Sequence, residues 1–427
     1  MPEKNTVIYL DGIRGVAAFF VFLNHFCLAF YPAYFNFKPE MSHLNGAELY
    51  YQKSLFSFIT NGGFQVAIFF ILSGYVLSRK YLQSGDLQIP VSGLHRRFLR
   101  LWIPVAFTII VSYLLLKANL ITNHVSSHIT LSDWFDRQWR FSEPGIRLFK
   151  SLIYGTMFAG DASFDTCLWT ISYEFYGSLF IFSFLVFTHF IPRYRLLMMF
   201  FAMCYFYLSK SPFYMAFVLG ISMCYTEQWM KKRHGVLTTV IAVGLLIFSL
   251  MLGSVPFCSP LPDSRQEAFK DIVWDYTPWC LTIGAYLLVL AYVMSPLLQK
   301  IVSFRPFRFL GYVSFSLYLI HPLILGSFSS SMFLSFYNSS KDYNDSVIKV
   351  FVATVAILLP ISWVMARYVD QSGIKLAKKV YDIFRKPLDK KPSYLQDEDE
   401  NVVEPKPALA VPAATPTPAP VSSKKKK

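Results

Sequence analysis

Asp11, Arg14 and His25 stand inside one apolar run, Tyr9-Leu10-Asp11-Gly12-Ile13-Arg14-Gly15-Val16-Ala17-Ala18, which continues to Asn24-His25. Ionisable groups in such a run are expensive and point to function by default. Arg14 and His25 are eleven residues apart, close to three helical turns. A helix therefore puts both on one face, separated by roughly 16 Å along its axis. That face offers a cation near one surface of a ~30 Å hydrocarbon core and an imidazole much nearer the other. The plainer alternative is an Asp11–Arg14 pair at a helix end, with His25 simply reaching the far interface.

A second ionisable group is Glu174, in Leu168-Trp169-Thr170-Ile171-Ser172-Tyr173-Glu174-Phe175-Tyr176. A carboxylate inside an apolar run needs a partner or a proton. If the first run travels outward and this one inward, His25 and Glu174 share the outer half of the membrane, within one or two helix turns of depth. An imidazole fixed by a carboxylate is a general base, so the pair His25–Glu174 is the expected catalytic centre. The alternative is a structural hydrogen bond between helices. Arg97-Phe98-Leu99-Arg100 carries two arginines on one helix face, suited to phosphate oxygens or merely to a basic helix end. In Ser316-Leu317-Tyr318-Leu319-Ile320-His321-Pro322, Tyr318 and His321 share a face. His321 there either acts on substrate or satisfies backbone groups freed by Pro322. Ser73-Gly74, in Phe69-Phe70-Ile71-Leu72-Ser73-Gly74-Tyr75, reads as close helix packing more readily than as a nucleophile.

The elements that must hold these residues are membrane helices. The 427 residues are 54% hydrophobic and 18% aromatic, with a mean hydropathy of +0.40, above the apolar share of soluble domains. Ten apolar runs lie near 7–30, 63–82, 98–117, 167–190, 194–208, 211–226, 236–253, 277–295, 311–330 and 347–369. The fold class is thus all-α, a polytopic bundle of about ten transmembrane helices. Runs five and six are short for spans. Ser209-Lys210-Ser211-Pro212 between them reads as the turn of a helical hairpin. Phe149 to Ala159 is apolar but too short to span, so it is interfacial or re-entrant.

Charge sets the orientation. The net charge of +14 comes largely from clusters at alternate run ends: Arg96 and Arg97; Arg193 and Arg195; Lys231, Lys232 and Arg233; Lys300, Arg305 and Arg308. The positive-inside rule puts these, and both termini, in the cytoplasm. The basic excess is therefore membrane topology, with no nucleic-acid partner expected. The first run keeps Asp11 and Arg14 and shows no cleavage site, so it is expected to stay as a span of a multi-pass protein of the cell or inner membrane. Six cysteines give no metal spacing and no disulfide framework; a Cys167–Cys258 pairing rests on two loop-edge residues only. No metal is expected. Residues 1–383 form the membrane domain. Residues 384–427 pass into Pro/Ala repeats and end at Lys424–Lys427, a composition that cannot bury a core.

Six of these segments in this order resemble acyltransferase family 3, the multi-spanning membrane O-acyltransferases. They are Leu-Asp-Gly-Ile-Arg-Gly at 10–15, Arg14 with ten residues before His25, and Phe-Phe-Ile-Leu-Ser-Gly-Tyr at 69–75. The others are Arg97 with Arg100, Trp-Thr-Ile-Ser-Tyr-Glu at 169–174, and Ser-Leu-Tyr-Leu-Ile-His-Pro at 316–322. The resemblance covers roughly residues 7–370. It implies transfer of an acyl group, commonly acetyl, from acyl-CoA to a hydroxyl of a cell-surface or lipid-linked glycan. It also implies that Arg14 and His25 are the essential pair and that Arg97 and Arg100 face CoA. Many members have a second acid after the glutamate; Phe175 stands there instead. With no hydrolase-like domain appended, the membrane domain is expected to complete the transfer or hand over to another protein.

The combined expectation is a thioester arm running past Arg14 to His25. Asp11, Tyr176, Tyr318 and His321 surround the substrates, and Tyr176 or a serine serves the oxyanion. The rival is a carrier or flippase for a lipid-linked sugar, with the same charges lining a pathway.

Overall fold

The computed structural model describes residues 8–36, 38–51, 53–230, 235–255 and 263–388, with side chains omitted for 263–275 and 386–388. Among these every regular element is helical. Backbone contacts separate a unit over Met1–Tyr381 from a segment over Asp382–Lys427. The tail beyond Leu388, including the terminal lysines, lies outside the described residues.

The principal helices are α1 (Ile8–Phe30), α2 (Gly62–Ser84), α3 (Gln88–Lys117), α4 (Trp169–Phe190), α5 (Arg195–Leu208), α6 (Pro212–Met230), α7 (Val236–Gly253), α8 (Asp263–Met294), α9 (Arg305–Ile324) and α10 (Tyr343–Met365). Eight stretches are long and apolar enough to cross a membrane: α1, α2, α3, Thr166–His189, α7, Tyr276–Met294, Arg305–Ser340 and Tyr343–Arg385. Runs five and six are α5 and α6. They meet as the expected hairpin, with Lys210 at φ +51° in its turn. α5 rises only about 20 Å, short of a ~30 Å core.

Small residues fix two close crossings. A Cβ on Gly74 of α2 would overlap the Phe217 carbonyl and Gly220 of α6, and one on Gly220 would overlap Gly74 in return. Backbones meet there, as the Ser-Gly pair predicted. Arg79 of α2 and Glu227 of α6 pair at 2.7 Å further along. The second crossing joins α1 to α9. A Cβ on Gly15 would strike the Gly311 backbone nitrogen, and one on Gly311 would strike the Asp11 carbonyl. Gly311→Ala should therefore push the helices apart, at an overpacking cost of about 1–3 kcal/mol. A lowered melting temperature with activity falling further than stability is the expected result; wild-type melting would refute the crossing.

Two local features matter for the site. α3 starts at Gln88, well before its apolar run, so Arg97 lies nine residues inside a helix rather than at its end. α9 carries Pro322 and continues through a π turn at Leu325–Ser329. Proline cannot donate to the helix ladder, and the wider turn absorbs the mismatch.

Candidate active site

From the Gly15–Gly311 crossing, α1 and α9 run side by side. Ten residues later, about 15 Å along each helix, stand His25 and His321. Their Nδ1 and Nε2 atoms lie 2.8 Å apart, with the rings within 17° of parallel. His321 Nδ1 lies 2.9 Å from the Leu317 carbonyl oxygen. A carbonyl only accepts, so this nitrogen carries the proton. With the ring neutral, Nε2 is then an acceptor and His25 Nδ1–H is its donor. The chain of bonds leaves His25 Nε2 with a free lone pair, the form a general base requires. His321 thus bonds the backbone one turn earlier and orients His25, and the second role is neither of the two read from the sequence. The Trp134 ring, from the segment between α3 and α4, stacks on the His25 ring at 5.1 Å.

Cys167 completes the cluster. It sits in a tight turn over Thr166–Leu168 ahead of α4, whose N-cap Asp165 accepts from the Cys167 backbone N–H at 2.7 Å. Its free, buried thiol lies 3.8 Å from His25 Nδ1 and 3.7 Å from His321 Nε2. The sulfur faces two histidines; the pairing with Cys258 weighed above falls on a residue outside the described residues. The three ligand atoms lie within 4.8 Å of one another, near enough for one ion. However, two nitrogens bound tetrahedrally at 2.0–2.1 Å stand about 3.3 Å apart. The 2.8 Å separation fits a hydrogen bond better.

Glu174 is not the partner of His25. Its carboxylate is bonded by Arg97 Nη2 and by Ser73 Oγ at 2.8 Å, and Arg97 Nε donates to Ser178 Oγ at 2.8 Å. The physical reason is the early start of α3. It carries a guanidinium to the carboxylate, and a charge-assisted bond there outweighs one to a neutral imidazole. Arg97 is consequently buried and engaged, which removes it as a free phosphate ligand. Arg100, one turn on, is exposed.

Two cavities flank this arrangement. The first, about 370 Å³, is lined by Asp11, Arg14, Ser73, Arg97, Arg100, Glu174 and Asp370 among others. Arg14 Nη1 donates to Asp11 Oδ1 at 2.9 Å on its wall. The second, about 430 Å³, is lined by Asn24, His25, Thr60, Asn61, Trp169 and Phe213 among others. α1 serves both, Arg14 in one and His25 in the other. Val66 and Tyr318 line both cavities, so they form a shared wall. The Tyr318 hydroxyl lies 2.8 Å from Thr170 Oγ1 and 3.3 Å from the Cys167 carbonyl. Tyr176 is displaced from both cavities: it is 40% exposed, and its hydroxyl donates to the Phe158 carbonyl at 3.3 Å. The hydroxyls at the centre are therefore Tyr318 and Thr170, and Thr170 Oγ1 also donates to the Cys167 carbonyl at 3.0 Å.

Trp134, Cys167 and the orienting role of His321 were not foreseen. One signal was present: Gly15 and Gly311 each precede a histidine by ten residues, so a glycine crossing brings both imidazoles to one level. Trp134 and Cys167 carry no comparable spacing.

The family 3 acyltransferase model, described as an acyltransferase domain, matches residues 7–367. A relative from Phomopsis amygdali, O-acetyltransferase PaAT-1, is 23% identical over 442 residues, covering 87% of this chain and 84% of its own. No solved structure matches. With the family model spanning both arginine and histidine cavities, the chain belongs to acyltransferase family 3.

Proposed function

We propose that the protein transfers an acetyl group from cytoplasmic acetyl-CoA, bound at the first cavity, to a hydroxyl of a glycan or glycolipid in the second, with His25 as general base. The observation that carries this reading is the shared wall. Arginines line the cavity on one side of it, and a base with a free lone pair lines the cavity on the other. The acetyl group is supported by the name of the Phomopsis relative. The cytoplasmic assignment rests on the basic clusters, which place both termini inside and allow the α5–α6 hairpin to complete ten crossings. The apolar walls of the second cavity, Trp169, Phe213 and Val21, suit a lipid-linked sugar better than a bare one.

In the reaction, Arg14 and Arg100 hold phosphate oxygens as charge-assisted donors. A cavity of this size takes the arm of acyl-CoA with its nucleotide outside. His25 Nε2 removes the acceptor proton as the hydroxyl attacks the carbonyl carbon. Tyr318 and Thr170, once released from the Cys167 carbonyl, turn their hydroxyl protons to the oxyanion.

The test is a sided assay. Sealed inside-out vesicles given external acetyl-CoA should release CoA thiol in an acceptor-dependent manner; right-side-out vesicles should not. Sugar movement without CoA release would mean a carrier instead. Arg100→Ala should raise the KM for acetyl-CoA about 10- to 100-fold, the range of one lost hydrogen bond to a charge. Its kcat should change little, because phosphate contacts are made in ground and transition states alike. An unchanged KM would remove Arg100 from the donor site.

A further inference from the structure

We propose that Cys167 carries the acyl group between the two cavities as a covalent thioester. The inference rests on the donor reading above and adds an intermediate to it. Its basis is position and company. Cys167 Sγ lies within 3.8 Å of a nitrogen on each of two imidazoles. Its neighbour Thr170 lines the first cavity, its neighbour His25 lines the second, and Tyr318, which bonds its carbonyl, lines both. The sulfur itself lines neither cavity, and Thr170 and Tyr318 both bond the carbonyl of the same residue. A thiol beside a base is the arrangement of a nucleophilic cysteine. The start of α4 adds the positive end of a helix dipole.

The chemistry balances in two steps. The Cys167 sulfur attacks the thioester carbonyl as its proton passes to His321 Nε2, 3.7 Å away, which gives up the bond from His25 Nδ1–H. The bond from acyl carbon to CoA sulfur breaks, and CoA leaves with that proton. The acceptor hydroxyl then attacks the Cys167 thioester, giving its proton to His25 Nε2. The bond from acyl carbon to Cys167 breaks, and the sulfur recovers a proton from the pair. One thioester is exchanged for another, so no free energy of the acyl bond is lost before the acceptor is reached. A thiolate would be costly in this apolar surround, which is why proton transfer accompanies attack.

The experiment needs no acceptor. Full-length protein in detergent is incubated with acetyl-CoA and isotopically labelled CoA, and label entering acetyl-CoA is followed. Acetyl-CoA binding is measured in parallel by thermal shift. Exchange in the wild type, a fall of at least a hundredfold in Cys167→Ala, and a hydroxylamine-sensitive acetyl group on the peptide containing Cys167 are expected. Cys167→Ser should hold an acetyl ester that turns over slowly. Binding without exchange, equal exchange in Cys167→Ala, or label on another cysteine would overturn the relay while leaving acetyl-CoA as donor. Absence of acetyl-CoA binding would overturn the donor reading and the relay with it. Should Cys167→Ala fold poorly, the site of acetyl label in the wild type decides alone.

Discussion

His25→Ala is expected to lower turnover about 10²- to 10⁴-fold, the usual contribution of a positioned general base, with the KM for acetyl-CoA nearly unchanged. His25 lines the second cavity, whereas the donor arginines line the first, so its loss falls on the chemical step. Added imidazole should restore part of the activity, since the cavity at His25 is open to a small ring. His321→Ala should cost less, about 5- to 30-fold, the worth of one or two kcal/mol from a lost hydrogen bond and a poorly held tautomer. His321→Gln should recover activity relative to His321→Ala, because its amide oxygen can accept from His25 Nδ1–H as Nε2 does. A purely structural role would not show that recovery at matched stability. The double alanine variant should be no worse than His25→Ala alone. Losses that multiply would mean that His321 acts independently of His25.

The all-helical class follows from hydropathy because lipid forces every backbone group into helical bonds, whereas eight stretches, against ten apolar runs, reach membrane length among the described residues. The segments 10–15, 69–75 and 169–174 therefore fell on helices that hold the site. Partner choice was less legible. Depth along the membrane normal is one coordinate, and it put His25 and Glu174 at a common level. The direction each side chain faces is another, and it is set by crossings such as Gly15 on Gly311. The ten-residue interval from each glycine to its histidine held that information, in segments about 300 residues apart. Arg97 was misplaced for a different reason: the polar stretch 88–97 has no hydropathy signal, yet it is the first part of α3. Trp134 reaches His25 from a five-residue helix, Asp133–Arg137, too short to show a periodicity.

The second large effect belongs to the ion pair that replaced the expected one. Arg97 and Glu174 side chains are 7% and 18% exposed, so solvent screens them little. Removing one partner leaves an uncompensated charge, which costs about 3–5 kcal/mol in buried pairs. Glu174→Ala and Arg97→Ala should each lower the melting temperature markedly and reduce the yield of folded protein. Replacing both with apolar residues of similar volume, Arg97→Met with Glu174→Leu, should restore most of that stability, because desolvation cancels much of what such a pair gains. Activity should not return with it. Both side chains line the cavity assigned to the donor, and Ser73 and Ser178 would lose the partners that hold the wall. A stable but inactive double variant, with a raised KM for acetyl-CoA and an intact His25–His321 pair, is therefore the expected outcome. Single variants that melt like the wild type would show that the pair is not a buried support. A double variant with normal KM would show that it supports the fold without shaping the donor cavity.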